Sequence, residues 1–406
     1  MHTSSITTAS KTISVVAVIF ILTISGWAQV TEKVIYSFTG LADGGFPQSG
    51  LAIDSKGNLY GTTQNGGSGT PCSCGTVFEL SPGSNGTWTE SVLHSFGATG
   101  DGTSPFSQPV FDSKGNLYGT TVSGGTNFQG TVYELSPGAN GTWTETVIYN
   151  FTNGADGGLP YSTRLAIDSA GDLYGVTNAG GTYGFGVVFE LIPGSNGTWT
   201  EKVLHSFTGD NDGGNPYASS LVLDSAGNLY GMARGGGAHD YGLVFGLTQS
   251  NGTWSEKVLY AFTGADGEAD AVGGLLLDSK GNLYGAAYDV FELVHGSNGT
   301  WTKSVLHSFT GTPDGAYPES ALISDKAGNL YGTTNSGGSH DGTVFELAPG
   351  LGGSWKERVL HRFTANGTDG VSPNSSSLAM DASGNLYGTT PAGGASKVGV
   401  VFEITR

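Results

Sequence analysis

The chain has 406 residues, and its 34 Asp and Glu against 16 Lys and Arg give a formal net charge of −18. A surface this acidic repels phosphate backbones and anionic lipid, so we expect no nucleic-acid partner. The 70 glycines and a charged fraction of only 12% exclude a helical protein rich in Lys and Glu, and they indicate many tight turns between short strands.

Residues 1–28 predict a secretory signal peptide. A single cation, Lys11, precedes an apolar segment from Ile13 to Ile24, and Gly26 and Ala28 are small residues at the two cleavage-recognition positions. The apolar segment is shorter than the roughly 20 residues that span a bilayer, which makes an uncleaved anchor the alternative interpretation. We therefore expect export to the periplasm or the extracellular space.

The remainder, residues 29–406, predicts one domain built from an internal repeat. A tyrosine recurs within the pattern G-[ND]-L-Y-G, in seven units spaced 47 to 58 residues apart. The recurring tyrosines are Tyr60, Tyr118, Tyr174, Tyr230, Tyr284, Tyr331 and Tyr387. No second apolar run follows the first, so the mature protein should carry no membrane span, and we expect a monomer.

Each unit predicts four short strands, here called a, b, c and d. In the unit 165–216 they are LAID, DLYGVT, GVVFEL and WTEKVLHSF, in chain order, and no helical period can be traced through them. Asp-Ser-Ala-Gly-Asp turns a into b, and Pro-Gly-Ser-Asn-Gly turns c into d. A recurring antiparallel unit of about 50 residues is typical of a propeller blade.

The two ends of the domain complement each other. Residues 31–38, TEKVIYSF, read as a d strand without a preceding a, b or c, and residues 399–404, GVVFEI, read as a c strand without a following d. The first strand can complete the last blade and leave no exposed sheet edge. The sequence therefore predicts an all-β, seven-bladed β-propeller of four-stranded antiparallel blades, closed by strand 31–38.

The unit GNLYGTT, then GG, then GTVFEL resembles the GloVer tandem repeat of exported bacterial proteins, over residues 31–406. Its a–b segment is similar, more loosely, to blades of NHL-type propellers. The resemblance implies export and a propeller, and it implies no reaction. Carriers of the repeat end in varying surface-sorting signals, whereas this sequence ends in VFEITR.

Residues that all seven units share are expected to build the blade. The strand b tyrosines and strand d phenylalanines should pack in the core, and the Asp that ends each strand a should form an Asx-turn. The His or Tyr of strand d accepts either ring, so we interpret it as structural. Cys72 and Cys74, the only thiols, could form a local disulfide after export.

Variable residues collect in the d–a and b–c loops, which share one face of a propeller. Loops on a rigid scaffold are where binding groups gather, so this face is the expected site. Aromatic rings beside polar groups suit a sugar, and the candidate ligand-binding residues are Phe128, Tyr183, Phe185, Arg234 and Tyr241. Candidate catalytic groups are Asp240 and Asp341, with His239 or His340.

The fifth unit has an unusually acidic d–a loop. Asp266, Glu268 and Asp270 stand at alternate positions, as at the opening of a calcium loop, although Ala271 and Leu277 replace that motif's glycine and bidentate glutamate. The alternatives are a Ca²⁺ site and a solvated acidic loop. No other cofactor is expected.

Two functional hypotheses follow. The first is an exported binding or interaction module whose ligand is a glycan or a cell-envelope component. The alternative is an extracellular hydrolase or lyase that acts on polysaccharide through loop carboxylates. The sequence contains neither an HExxH metalloprotease motif nor a GK[ST] phosphate loop.

Overall fold

The computed structural model describes residues 30–69, 72–161, 164–217, 219–264, 273–373 and 377–406. Over these residues the chain forms seven four-stranded antiparallel sheets, which are the blades of the predicted β-propeller. The predicted signal peptide lies outside the described residues. No helix in the described ranges is long and apolar enough to cross a membrane.

The blades follow the repeat in chain order. In blades 1 and 2 the strands a to d are Ala52–Ile53, Leu59–Thr63, Thr76–Pro82 and Trp88–Ser95, then Val110–Phe111, Leu117–Thr121, Thr131–Pro137 and Trp143–Asn150. In blades 3 and 4 they are Ala166–Ile167, Leu173–Thr177, Val187–Pro193 and Trp199–Ser206, then Val222–Leu223, Leu229–Ala233, Leu243–Ser250 and Thr253–Ala261. In blades 5 and 6 they are Leu276–Leu277, Leu283–Ala286, Asp289–His295 and Trp301–Ser308, then Ile323–Ser324, Leu330–Thr334, Thr343–Pro349 and Trp355–Arg362.

Blade 7 combines both ends of the domain, as predicted. Its strands a, b and c are Ala379–Met380, Leu386–Thr390 and Val400–Thr405, and its strand d is Thr31–Ser37. Strand d pairs antiparallel with strand c from Thr31 opposite Thr405 to Ser37 opposite Val400. The d strands of successive blades contact one another around the whole ring, from blade 7 to blade 1 as well.

Strand a is shorter than predicted. In blade 3 it contains only Ala166 and Ile167, because Asp168 leaves the ladder to build the turn. The Asp168 carboxylate accepts the backbone N–H groups of Ala170 and Asp172, each at 2.9 Å. This Asx-turn recurs in all seven blades.

The shared tyrosine and glycine are structural. The Tyr60 hydroxyl lies 3.3 Å from the turn carboxylate of Asp54 and 3.2 Å from Glu79 in strand c. The glycine after each tyrosine leaves room for a strand c ring: a Cβ on Gly231 would lie 2.6 Å from Phe245. The repeated motif therefore packs the blade.

The d–a and b–c loops are paired with each other. Gly214, from the loop between blades 3 and 4, exchanges two backbone hydrogen bonds of 3.0 Å with Gly235 of the blade 4 b–c loop. Equivalent pairings join Gly45 to Asn65 and Gly158 to Ala179. These loops form one face, here called the loop face; the a–b and c–d turns form the opposite turn face.

Short elements complete the fold. Two-residue strands pair Gly102–Thr103 with Ser123–Gly124 and Gly370–Val371 with Ala392–Gly393. The c–d turns of blades 1, 2, 3 and 6 each contain one short 3-10 helix. In that order the four are Ser84–Gly86, Ala139–Gly141, Ser195–Gly197 and Leu351–Gly353. Asn196 and Gly197 have φ of 66° and 76°, the left-handed angles that the Asn-Gly pattern predicts. Cys72 and Cys74 form a disulfide.

Candidate functional site

A pocket of about 750 Å³ opens on the loop face between blades 3 and 4. Three loops supply its walls: the b–c loop of blade 3, the following d–a loop, and the b–c loop of blade 4. The lining includes Asn178, Phe185, Asn215, Tyr217, Arg234, Asp240 and Tyr241. Four of the residues singled out in the sequence therefore meet here, and we call this the loop-face pocket.

Asn215 joins the walls of the pocket. Its backbone N–H donates to the Phe185 carbonyl at 2.8 Å, and its side-chain amide donates to the Asn178 carbonyl at 2.9 Å. Its φ of 47° lies in the left-handed region, which Asn tolerates better than most residues. The d–a loop is thus fixed against the b–c loop of the preceding blade.

Phe185 and Tyr241 occupy equivalent positions in successive b–c loops. Each ring rests on a loop glycine: a Cβ on Gly209 would lie 2.7 Å from Phe185, and one on Gly264 would lie 2.6 Å from Tyr241. The rings nevertheless stay 39% and 37% exposed, respectively. The structure holds one side of each ring and leaves the other open.

Tyr217 belongs to a row of stacked side chains. Its ring centroid lies 4.3 Å from that of Tyr161, and the Tyr161 centroid lies 4.7 Å from that of Phe106. The Arg234 guanidinium lies 5.6 Å from the Tyr217 centroid, within cation–π range. Burial, followed by a hydrogen bond with Tyr161, raises the pKa of the Tyr217 phenol above its usual range, so the phenol stays neutral.

Asp240 is the single carboxylate among the described residues of the pocket lining. One of its oxygens accepts the backbone N–H of Gly236 at 2.8 Å, so the carboxylate also stabilises its own loop. Glycoside cleavage in most families needs two carboxyl groups about 5 to 9.5 Å apart. The described lining supplies one of these two carboxyl groups, Asp240, together with other hydrogen-bonding groups.

The other residues singled out in the sequence lie outside this lining. Phe128 and Tyr183 are exposed on the b–c loops of blades 2 and 3. His239 precedes Asp240 on the loop surface. Asp341 is next to His340 in the blade 6 b–c loop. Its carboxylate accepts the Ala365 N–H at 2.8 Å and so joins this loop to the d–a loop that follows blade 6.

The calcium hypothesis concerns residues that the structure does not describe. Asp266, Glu268 and Asp270 fall in the range 265–272, outside the described part of the chain. The Ca²⁺ site therefore stays a prediction.

Two groups of nitrogen and oxygen ligands lie between neighbouring blades. In one, a single donor atom from each of His94, Asp101 and Glu145 lies within 4.8 Å of the other two. The second group contains Glu32, His361 and Asp369. Imidazole and carboxylates could hold a divalent cation.

The same positions in other blades favour a structural role. His94 binds Asp101 at 3.0 Å, and the equivalent Tyr149 binds Asp156 at 3.1 Å. Because a tyrosine replaces the imidazole without loss of this hydrogen bond, we assign the pair to joining strand d to the d–a loop, in agreement with the sequence interpretation.

Six of these His–Asp or Tyr–Asp pairs lie near a glutamate from strand d of the next blade. Burial is the main cause that raises the pKa of each of these carboxyls to about 7, and for Glu145 the nearby Asp101 adds to it. One oxygen of each is buried without a hydrogen-bond partner in the described structure. The six are Glu32, Glu90, Glu145, Glu201, Glu256 and Glu357. Blade 5 has Lys303 at this position, a departure that the sequence already displays.

Sequence reasoning missed Tyr217 and these six glutamates. A signal for Tyr217 exists, because an aromatic residue follows Pro in three successive d–a loops, as Phe106, Tyr161 and Tyr217. The corresponding residues of units 1, 6 and 7 are Gln48, Glu319 and Asn374. The aromatic row therefore marks one side of the ring.

Comparison with protein families gives one match across nearly the whole chain. The model of the Gloeobacter/Verrucomicrobia repeat matches residues 6–163, 68–297 and 289–406. The match confirms the tandem-repeat resemblance seen in the sequence. Among curated proteins, none matches the chain.

Solved structures share the fold. The extracellular domain of a protein from B. thetaiotaomicron, described as a hybrid two-component system, is 16% identical with a TM-score of 0.55, over 92% of this chain and 41% of that one. PorZ of Porphyromonas gingivalis, described as a bacterial surface component of the type-IX secretion system, is 15% identical with a TM-score of 0.53, over 88% and 46%. This chain spans less than half the length of either protein. At these identities the likeness shows the fold alone.

Proposed function

The chain belongs to the Gloeobacter/Verrucomicrobia repeat family, and from that premise we propose that it is an exported binding module that takes a glycan of a cell envelope or its surroundings into the loop-face pocket. The neighbours described as an extracellular domain and as a surface component are consistent with a role at the cell surface. Their low identity leaves the ligand to be inferred from the pocket.

One observation carries the proposal: three aromatic rings and several hydrogen-bonding groups line the same pocket. Phe185 and Tyr241 keep more than a third of their surface exposed, at 39% and 37%, and supply apolar faces on which the C–H face of a sugar ring can stack; Tyr217 packs against Arg234 in the same pocket. Arg234 and the carboxylate of Asp240 add a donor and an acceptor for hydroxyl groups. A concave site with rings and a few convergent polar groups is typical of small-ligand binding.

The volume suits a short saccharide. A pocket of about 750 Å³ falls within the range of about 300 to 1,000 Å³ that ligand sites occupy. The loop backbone is held by hydrogen bonds on both sides of Asn215, so little ordering should be needed when a ligand binds. We expect binding without a large rearrangement.

The test is a glycan panel probed with the mature protein and with two pocket variants, Tyr217→Ala and Arg234→Ala. Loss of the ring that packs against Arg234, or of the charged donor itself, should weaken binding of the recognised glycan about tenfold. Tyr288→Ala is the matched control, because Tyr288 is an exposed tyrosine of the blade 5 b–c loop outside the pocket. It should bind as the unsubstituted protein does.

Absence of binding to any glycan of the panel would contradict the proposal, and so would equal binding by the two pocket variants and the unsubstituted protein. The enzymatic alternative predicts depolymerisation in the same screen. Turnover that disappears in Asp240→Asn while affinity stays would favour that alternative.

A further inference from the structure

A second cavity runs along the axis of the propeller. Its volume is about 620 Å³, and residues at or beside strand a of all seven blades line it. Apart from Gln108 and Arg164, its described lining residues have apolar side chains, and half-buried ones include Ile53, Phe111, Ile167, Leu223 and Leu277. This axial channel is separate from the loop-face pocket, with which it shares no lining residue.

One cation interrupts the apolar wall. Arg164, two residues before strand a of blade 3, lines both the channel and a narrow neck of about 20 Å³ at its loop-face end. The residues that directly precede strand a's first apolar position in the other blades are uncharged: Gly50, Gln108, Ser220, Gly274, Ala321 and Ser377. The arginine is therefore a departure from the repeat.

The guanidinium has no acid beside it among the described residues. Neither the channel nor its neck has an Asp or Glu in the described lining. Arg164 is exposed to solvent within the channel, and desolvation by the protein that surrounds the channel lowers the pKa of its guanidinium. A cation with no acid beside it in the described lining attracts an anion that enters the channel.

Among the described side chains that line the channel and its neck, Arg164 is the one cation. The side-chain amide of Gln108 already donates to the Leu51 carbonyl at 2.9 Å. Beyond this layer the described side chains of the lining are apolar, which favours an apolar body over a hydrated ion. The channel thus combines one cationic head-group position with an apolar tube.

We propose that the axial channel binds an alkyl carboxylate, with the carboxylate on Arg164 at the neck and the hydrocarbon chain along the strand a side chains toward the turn face. A carboxylate can meet the planar guanidinium with two parallel hydrogen bonds. The chain would cover the half-buried residues of the wall. This site is independent of the proposed glycan pocket.

The probe is decanoate, titrated calorimetrically into the mature protein. Decanol has the same chain without charge, and acetate has the same head group without the chain. We expect decanoate to bind at least tenfold more tightly than either, because both halves of the site contribute. Acetate that binds as tightly as decanoate, or decanol that does, would overturn the proposal.

Arg164→Gln should weaken decanoate binding at least tenfold, and Arg164→Lys should retain part of the affinity, since Lys keeps the charge without the planar fork. Arg234→Gln is the control: it removes an arginine from the loop-face pocket and should leave decanoate binding unchanged. Arg164→Gln removes a charge that has no acid beside it in the described lining, so its melting temperature should not fall below that of the unsubstituted protein. Unchanged decanoate affinity in a folded Arg164→Gln variant would refute the site.

Discussion

Replacing Glu145 with Gln should stabilise the propeller at pH 8 and change it much less at pH 5. Glu145 lies on strand d of blade 2. It faces His94 of strand d in blade 1 and Asp101 of the d–a loop between the two blades. One of its carboxyl oxygens is buried without a hydrogen-bond partner in the described structure. A glutamine keeps the shape, carries no charge, and can donate to the facing carboxylate.

The sign follows from the difference between the folded and unfolded pKa. Burial first, and then Asp101, raise the pKa of Glu145 from 4.5 to about 7. A raised carboxyl pKa means that the folded state binds the proton more tightly. The contribution to stability is therefore complete below about pH 4.5 and is lost as the pH rises through about 7.

The magnitude comes from the same two values. A rise of this size corresponds to at most about 3 kcal/mol in the free energy of unfolding at pH 8, at about 1.4 kcal/mol per pKa unit. Because solvent reaches part of the side chain, screening reduces this to about 1 kcal/mol. At pH 5 the substitution should raise the free energy of unfolding by only about a quarter as much, because the Glu145 carboxyl of the folded protein is then protonated and uncharged.

The assay is thermal or urea unfolding of Glu145→Gln and the unsubstituted protein at both pH values. The melting temperature should rise by about 1 to 2 °C at pH 8. Asp210→Asn is the control, since it removes one exposed carboxylate and should give nearly the same small change at both pH values. Adding Glu256→Gln in blade 4 should double the gain, because the two sites lie in non-adjacent blades.

A Glu145→Gln variant that is less stable at pH 8, or that shifts equally at pH 5 and pH 8, would refute the reasoning. The first result would mean that the ionised carboxylate is stabilised by its surroundings. The second would mean that the carboxyl has an ordinary pKa in the folded state.

Two further predictions concern the fold. Phe38 is fully buried beside the closing strand, so Phe38→Ala should cost about 3 to 5 kcal/mol in the free energy of unfolding. Deletion of residues 31–38 should abolish the single cooperative transition in calorimetry. An unchanged transition after this deletion would contradict closure of the ring. Gly231→Ala should cost about 1 to 3 kcal/mol because its Cβ would lie 2.6 Å from Phe245. Gly235→Ala, whose Cβ would come no closer than 3.7 Å to another atom, is its control, and equal melting temperatures for the two variants would contradict the packing argument.

The blade count and the closure were predictable because the repeat displays them directly. Each G-[ND]-L-Y-G unit aligns with the next, and the separated d and c strands at the two ends can pair only across the ring. The length of strand a was not predictable from alternation, since Asp168 could have continued the strand or left it. The predicted Asx-turn at this Asp is confirmed, but alternation does not say whether strand a includes the Asp, and the strand ends at Ile167.

The sequence predicted a candidate face, whereas the candidate pocket on that face needed the structure. Phe185 and Tyr241 stand 56 residues apart, and their approach depends on the d–a loop that carries Asn215 between the two blades. Glu145 follows the alternation of strand d and would read as a solvated residue. The facing loop of the neighbouring blade buries it, and a pattern within one strand contains no information about that neighbour.

Hydrogen–deuterium exchange of the protein, with and without a saturating glycan from the panel, tests the binding account most directly. We predict slower exchange in residues 209–217 and 234–241, the loops that meet at Tyr217 and Arg234, with the turn-face c–d turns unchanged. Protection confined to the turn face, or unchanged exchange in both loops while the glycan is bound, would contradict the assignment of the loop-face pocket as the binding site.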